Sequence, residues 1–158
     1  MSANFPPWLR PETLEANAFW TAGVASTLAD FFAAYSLHDS EWLGFSVDPR
    51  YDGDGVAAFR LDTFWFREQA PEVNEVRWAA LLVKFRRVGA LRLSGFEEDE
   101  AMPRTIASAE TQGTSDNAVL TVEDIMGGRV EITHSPEVVL LCLDWEGNVL
   151  PIPGVAAS

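Results

Sequence analysis

The sequence predicts an α+β domain, in which one long N-terminal helix packs on a mostly antiparallel sheet or sandwich of six to eight strands. Two patterns favour this fold class. Apolar residues recur every three or four positions over residues 10–35, which is typical of an amphipathic helix. Over residues 41–145 they alternate with polar residues in short runs, which is typical of strands. The chain has 158 residues, a length that suits a single domain.

The predicted helix follows residues 1–9, which we interpret as an extended lead-in. Pro11 and Glu12 favour a helix start, because proline is tolerated in the first turn and a carboxylate stabilises the positive end of the helix dipole. Gly23 weakens the helix by about 1 kcal/mol relative to alanine and leaves room for a close neighbour. We expect one helix over residues 10–35 that covers a face of the sheet, because neither apolar surface is stable in water.

Strands are expected after Ser36, where the spacing of the apolar residues changes to every second position. The first covers residues 41–47 and has Leu43, Phe45 and Val47 on its apolar face. The same alternation predicts further strands over residues 57–65, 81–86, 91–94, 118–126 and 129–133. Residues 104–110 could form another strand, and an apolar run predicts one over residues 138–145.

Two of these segments have distinctive patterns. Gly127 and Gly128 separate two alternating runs and supply the positive φ angles that a tight hairpin turn requires. Residues 138–145 form an apolar run, which predicts a central strand covered on both faces. Residues 146–158 are expected to form an irregular tail. We expect a single domain over residues 1–158.

The composition is dominated by acidic residues, since 24 Asp and Glu against 11 Lys and Arg give a formal net charge of −13. Such a surplus repels the phosphates of nucleic acids and the surface of anionic membranes. It attracts a basic protein, a metal ion or a cationic small molecule, because summed charge raises association rates. The alternative interpretation is that the charge only keeps the protein soluble.

The single cysteine, Cys142, excludes an internal disulfide and any metal site built from several cysteines. It lies in an apolar run, where a thiol most often packs as a small apolar side chain. The sequence shows no signal peptide at its start and no apolar stretch long enough to cross a membrane. We therefore expect a cytoplasmic protein, either a monomer or a homodimer.

The adjacent pair His38 and Asp39 lies at the junction between the predicted helix and the first strand. Such a pair can bind a metal, but metal-dependent phosphohydrolases need further histidines, and the sequence has only His134 besides. Adjacent residues entering a strand also point to opposite faces, which opposes joint ligation. The favoured interpretation is a junction in which Asp39 caps backbone amides and His38 forms local hydrogen bonds.

A second candidate site is the acidic segment that contains Asp48, Asp52 and Asp54. Aspartates between glycines can supply the oxygen ligands that calcium prefers. The segment departs from the EF-hand pattern, since the fifth position from Asp52 is Val56 and the twelfth is Thr63 rather than glutamate. A turn rich in Asp and Gly explains the segment better.

A third candidate is the run of four carboxylates formed by Glu97, Glu98, Asp99 and Glu100. Like charges repel, so such a run is usually solvated, but it can also contact a basic partner. Trp42 falls on the face of its strand opposite to the apolar residues. We interpret it either as covered by a second layer or as an anchor in an interface.

Residues 37–47 and 83–96 resemble a pattern found in small bacterial proteins, some of them grouped with the immunity proteins of polymorphic toxin systems. In that pattern a Leu-His-Asp stretch enters a strand, and an F-x-x-V-x-x-L-x-L-x-G-F-like segment and a late hairpin follow. The likeness covers residues 37–145 in outline. It implies a non-catalytic binding protein and transfers no catalytic residue.

We therefore expect a non-catalytic acidic interaction protein without a cofactor, of the type that inhibits a basic bacterial toxin. The predicted binding residues are His38, Asp39, Trp42, Asp48, Asp52, Asp54, Glu97, Glu98, Asp99 and Glu100. The alternative is a small-molecule or metal-dependent activity, in a pocket between helix and sheet, that uses His38, Asp39 and nearby carboxylates.

Overall fold

A computed structural model describes residues 6–14, 16–47, 53–61, 78–94, 104–114 and 116–152. The strands are β1 (Val24–Thr27), β2 (Glu41–Val47), β3 (Gly55–Arg60), β4 (Ala79–Phe85), β5 (Ala90–Ser94), β6 (Arg104–Gly113), β7 (Ala118–Asp124), β8 (Arg129–His134) and β9 (Glu137–Asp144). The helices are α1 (Pro11–Leu14), a 3-10 helix (Asn17–Trp20) and α2 (Leu28–Ala34). The strands form one antiparallel sheet in the order β1-β9-β4-β3-β2-β6-β7-β8-β5.

The expected α+β fold with a long helix over residues 10–35 is wrong. That segment contributes two short helices, a 3-10 turn and the edge strand β1, so the protein is mostly β. Gly23 lies so close to β9 that an added Cβ would be 2.5 Å from Val139 Cγ1. The close approach expected at Gly23 is therefore present, but the neighbour is a strand paired with Val24–Thr27 rather than a surface packed on a helix.

The start of α2 has a local cause. Thr27 is extended, and its side chain accepts a hydrogen bond from the backbone N–H of Asp30 at 3.2 Å. This is an N-cap, which satisfies an amide that has no partner inside the helix. The helix therefore begins at Leu28, and its residues Leu28 and Phe31 are buried in the core.

The sheet bends on itself around a main core. We call β1, β9, β4, β3 and β2 the covered half, and β6, β7, β8 and β5 the open half. Among the described residues, β2 and β6 join the two halves through the pairs Glu41–Thr105 and Trp42–Arg104. Apolar residues of both halves and of α2 belong to one buried cluster. The ring of Phe85 in β4 accordingly lies 4.6 Å from that of His134 in β8.

The covered half has a second apolar layer on its other face. Leu82, Leu141 and Leu143 point away from the main core and are buried by the N-terminal segment, which contributes Leu14 and Trp20. The prediction that residues 138–145 form a central strand covered on both faces is therefore confirmed for β9, which lies between β1 and β4.

The residues after β9 also pack on the fold. Leu150 donates its backbone N–H to the carbonyl of Cys142 at 2.8 Å, and both Leu150 and Ile152 are buried in the main core. The segment expected as an irregular tail thus closes one end of the core over its described residues. Within the part of the chain that the structure describes, no helix is long and apolar enough to cross a lipid bilayer.

Candidate interaction surface

His38 and Asp39 form an exposed turn that is fixed to the sheet. Asp39 has a positive φ of 68°, a conformation that Asp adopts more readily than most residues. Its backbone N–H donates to the carbonyl of Ile106 at 3.0 Å, and the N–H of Ser40 donates to the carbonyl of Leu37 at 2.9 Å. The turn therefore connects α2 to β2 while its backbone is tied to β6.

This turn brings the two side chains together. His38 Nδ1 lies 3.3 Å from Asp39 Oδ2, with the side chains 60% and 52% exposed. The expectation that neighbouring residues diverge fails here because the turn, rather than the strand, contains both of them. Among the described residues, no group of three or more His, Cys, Asp or Glu side chains is placed to hold a metal ion.

Trp42 is buried, which agrees with the interpretation that it is covered and not with the alternative of an interface anchor, but its face was predicted wrongly, since it packs in the main core. It is 4% exposed, and its ring lies 5.0 Å from that of Phe59 in an edge-on contact. The pairing of β2 with β3 shifts by one residue between Trp42 and Gly44, which is a β-bulge. The shift places Trp42 and Phe45 against the main core and Leu43 against the second layer. Trp42 is thus a core residue and not an accessible anchor.

Only one member of the predicted acidic clusters is described. Asp54 Oδ1 accepts a hydrogen bond from the backbone N–H of Arg87 at 3.4 Å, so this carboxylate supports the turn between β4 and β5. Asp48, Asp52 and residues 97–100 lie outside the described residues.

His134 is enclosed by the core. Its Nδ1 lies 2.6 Å from the carbonyl oxygen of Ser135, which can only accept, so Nδ1 carries the proton. Nε2 is buried without a hydrogen-bond partner among the described residues. Burial lowers the pKa of His134 from its ordinary value, and the hydrogen bond to Ser135 opposes this shift. The imidazole is therefore neutral and inaccessible at neutral pH.

Cys142 is also inaccessible, as its apolar surroundings in the sequence predict. It is fully buried in β9. Burial, with a smaller contribution from the negative charge of Asp144, raises the pKa of the thiol well above its ordinary range. Since the thiolate is the reactive form, this cysteine is chemically inert in the folded protein.

One cavity opens beside the second layer, with a volume of about 130 Å³. Its walls are Leu9, Arg10, Leu14, Leu43, Gly44, Phe45, Val56 and Ala58. Arg10 provides the charged group, and its Nε donates to the carbonyl of Pro7 at 2.8 Å. The predicted pocket between a long helix and the sheet does not exist in that form, and His38 and Asp39 do not line this cavity.

Among the strand residues whose burial is described, the most exposed large apolar side chains lie on β5, at one end of the sheet order. All five residues of β5 are exposed, and Leu91 and Leu93 are 39% and 62% exposed. These leucines pair with Ile132 and Val130 of β8, which face the main core. Directly paired residues of antiparallel strands share a face. Leu91 and Leu93 therefore extend the core side of the sheet into solvent.

The opposite face of the open half is polar and charged. Arg129 forms ion pairs with Glu123 at 3.3 Å and with Glu131 at 2.9 Å. Glu131 in turn is paired in register with Arg92 of β5. The alternation of polar and apolar residues that the sequence predicts for these strands is thus present, with the charged residues outward.

Leu91 and Leu93 are not among the binding residues predicted from the sequence. The available signal was the shortness of the alternating run Ala90–Ser94, which has only two large apolar residues. A strand with so little apolar surface gains little from a central position, so it is suited to an edge.

Comparison with known proteins identifies no relative. Neither a protein-family model, nor a curated protein, nor a solved structure matches the chain. The resemblance of residues 37–47 and 83–96 to immunity-type proteins therefore stays a prediction.

Proposed function

We propose that this protein is a non-catalytic interaction protein that binds a basic partner protein. The observation that carries the proposal is the formal charge of −13, which favours association with a protein of opposite charge. Carboxylates are exposed on several separate elements of the described structure. They include Glu12, Asp30, Glu110, Asp116, Glu137 and Glu146.

The positions of the reactive side chains support a binding role. The thiol of Cys142 and the imidazole of His134 are both buried, so a substrate in solvent does not reach them. His38 and Asp39 are accessible, but they lie on an exposed turn and do not line the described cavity. An immunity-type inhibitor of a basic toxin is the form of this function that the sequence resemblance implies. A cytoplasmic location belongs to the same proposal, and the free thiol of Cys142 supports it.

Affinity capture followed by reconstitution tests the proposal. The purified protein is used as bait in a lysate of its source at about 0.05 M and about 0.5 M salt, and each captured protein is then purified and titrated separately. We expect a basic protein that forms a stoichiometric complex, with an association rate that falls as salt rises, because screening weakens steering.

A growth assay tests whether this protein acts as an immunity-type inhibitor. If the captured partner is toxic when expressed alone, co-expression of this protein is expected to restore growth. Capture of proteins that fail to reconstitute, or a complex whose association rate does not depend on salt, would contradict the proposal.

A further inference from the structure

The outer side of β6, which faces away from β7, is paired over part of its length. In the described structure, β2 pairs with the first two residues of β6. The next residue, Ile106, donates its backbone N–H to the carbonyl of Ser40 at 2.8 Å and accepts from the N–H of Asp39 at 3.0 Å. β6 then continues through residues 108–113, which pair with β7 on the inner side. No described strand lies beside residues 108–113 on the outer side.

The backbone groups on this outer side can be assigned from the hairpin of β6 and β7. The hairpin closes where Thr114 donates its backbone N–H to the carbonyl of Asn117 at 2.8 Å. Residues of an antiparallel pair alternate between bonding to the partner strand and pointing away from it. Counted back from Thr114, the residues that point away from β7 are Gly113, Thr111 and Ala109. None of their outward N–H and C=O groups has a hydrogen-bond partner among the described residues.

This part of β6 is an open edge that the sequence does not protect. Natural edge strands commonly carry proline or lysine, which hinder pairing with another chain. Residues 108–113 contain neither of them. Ser108, Glu110 and Gln112 are exposed, and Ala109 is partly buried against the main core. A strand added here would therefore have one wet face and one face that continues the core side of the sheet.

The open edge of β6 lies among acidic side chains. No lysine or arginine occurs in residues 105–128, which include most of β6 and all of β7, or in residues 11–49, which include α2 and the turn before β2. α2 contacts β6. Arg104 lies at the opposite end of β6, beside Trp42, and Arg129 of β8 is paired with two glutamates. The exposed carboxylates of these elements include Asp30, Asp39, Glu110 and Asp116.

These local charges select the occupant of the edge. A second copy of this chain would bring its own Glu110 and Asp116 to the new pair of strands, and like charges in close positions destabilise a sheet. A basic segment would place opposite charges there instead.

We propose that an extended basic segment of the partner protein adds to the open edge of β6 and hydrogen-bonds to Ala109, Thr111 and Gly113. This inference rests on the proposed function and assigns it a surface. In this mode the backbone hydrogen bonds supply affinity, and the alternate side chains supply selectivity. On the exposed face, a lysine or arginine of the segment lies beside Glu110. On the other face, small apolar side chains continue the row that contains Ala109.

Hydrogen exchange with a synthetic peptide tests this mode of binding. The peptide alternates lysine with valine. One control peptide has glutamates in place of the lysines, and another keeps the lysines but has every backbone amide methylated, so that it donates no hydrogen bond. Exchange is followed by NMR on isotopically labelled protein. We expect the lysine peptide at saturation to slow exchange at Ala109, Thr111 and Gly113 at least about tenfold, because these amides gain carbonyl partners. The amides of β1 and β5 are expected to change little.

Substitutions then separate the backbone contacts from the charge. Glu110→Lys is expected to weaken binding of the lysine peptide about fivefold or more, because an attraction becomes a repulsion. Glu137→Lys is the matched control, since Glu137 is also exposed, lies in the covered half and undergoes the same change of charge. It is expected to change the affinity about twofold or less.

Thr111→Pro tests the backbone contacts without changing the charge. It removes an outward N–H and none of the hydrogen bonds between β6 and β7, so the variant is expected to fold and to bind at least about tenfold more weakly. Circular dichroism checks its fold. If it does not fold, the methylated peptide provides the same test on the wild-type protein.

The outcomes separate this inference from the proposed function. Unchanged exchange at Ala109, Thr111 and Gly113, or equal binding of the methylated peptide, overturns the role of β6 and leaves the capture experiment as the test of the function. Equal binding of the glutamate peptide, or equal weakening by Glu110→Lys and Glu137→Lys, overturns the preference of this edge for a basic segment. A wild-type dimer in sedimentation that Thr111→Pro dissociates shows that a second copy occupies the edge, and this also overturns the inference.

Discussion

The two halves of the sheet differ in how many faces of their strands are buried. In the covered half, β4 is buried at six of its seven positions, since the main core covers one face and the N-terminal segment the other. In the open half, β8 alternates between exposed or partly exposed and buried positions, and only one face reaches the core. Sheets with one solvated face normally show this alternation.

The difference shows where a partner has room to bind. Less strand surface is open to one in the described part of the covered half, because Leu14, Trp20 and their neighbours cover most of the second layer and leave only the small cavity beside β2 and β3. The open half presents a charged face and ends in the exposed strand β5. Stability is therefore concentrated in the covered half, whereas accessible surface is concentrated in the open half. Four measurements test this difference between the halves.

Thiol labelling gives the largest expected difference. In the Leu93→Cys variant, one molecule carries a thiol in β5 and the native Cys142 in β9. We expect the new thiol to react at least about a thousandfold faster with a maleimide, because Cys142 is exposed only when the protein unfolds. Mass spectrometry of the digested protein assigns the label. Comparable labelling of both thiols would show that the covered half opens readily.

Truncation of equivalent leucines compares the two halves directly. Leu82→Ala removes a fully buried side chain of the second layer and is expected to lower the free energy of unfolding by about 2–5 kcal/mol. Leu93→Ala is expected to change it by about 0.5 kcal/mol or less, since most of that side chain is already in water. Urea unfolding measures both. Equal losses would mean that Leu93 is covered in solution.

The contact between β1 and β9 can be tested at Gly23. An alanine Cβ would lie 2.5 Å from Val139 Cγ1 and 3.0 Å from the carbonyl oxygen of Trp20. Gly23→Ala is therefore expected to cost about 1–3 kcal/mol. Val139→Ala in the same chain should recover part of this loss, because the side-chain clash is relieved and the backbone contact stays. An unchanged or higher stability of Gly23→Ala would favour the helix that the sequence predicts here.

The pH dependence of stability tests the site of His134, where the halves meet. Burial lowers its pKa in the folded protein, whereas the unfolded chain takes up the proton near the ordinary value of about 6.5. The free energy of unfolding should therefore fall as the pH drops below about 6.5, by at most about 1.4 kcal/mol per pH unit for one proton, until the folded pKa is reached. His134→Gln should remove this component of the pH dependence. An identical pH profile in both proteins would show that the imidazole is accessible.

Local sequence patterns predict most of the strands of the open half. The alternation in residues 118–133 and the two glycines at 127 and 128 predict the hairpin of β7 and β8, which is present. Gly127 has the expected positive φ of 88°, whereas Gly128 does not, and the connection spans residues 125–128 because β7 already ends at Asp124. These features are local, since a strand with one wet face shows a period of two. The acidic surplus is equally a property of the sequence alone.

The candidate site residues were predicted less accurately than the strands of the open half. His38 and Asp39 are accessible as their polarity suggests, but Trp42 is buried and the exposed leucines of β5 were not identified. The orientation of Trp42 depends on a bulge that arises only where β2 pairs with β3. The spacing of apolar residues within one strand does not reveal such a shift, because the shift depends on how two strands pair.

Pairing with a distant strand, rather than the local pattern, sets the secondary structure of the described residues within 10–35. Their apolar spacing fits a helix, but Gly23 and Thr27 allow the chain to leave it, and pairing of Val24–Thr27 with β9 gives those residues a partner. The N-terminal segment then covers a second face that would otherwise be wet. Local patterns report how many faces of a segment are apolar, whereas long-range pairing decides which neighbour covers each of them.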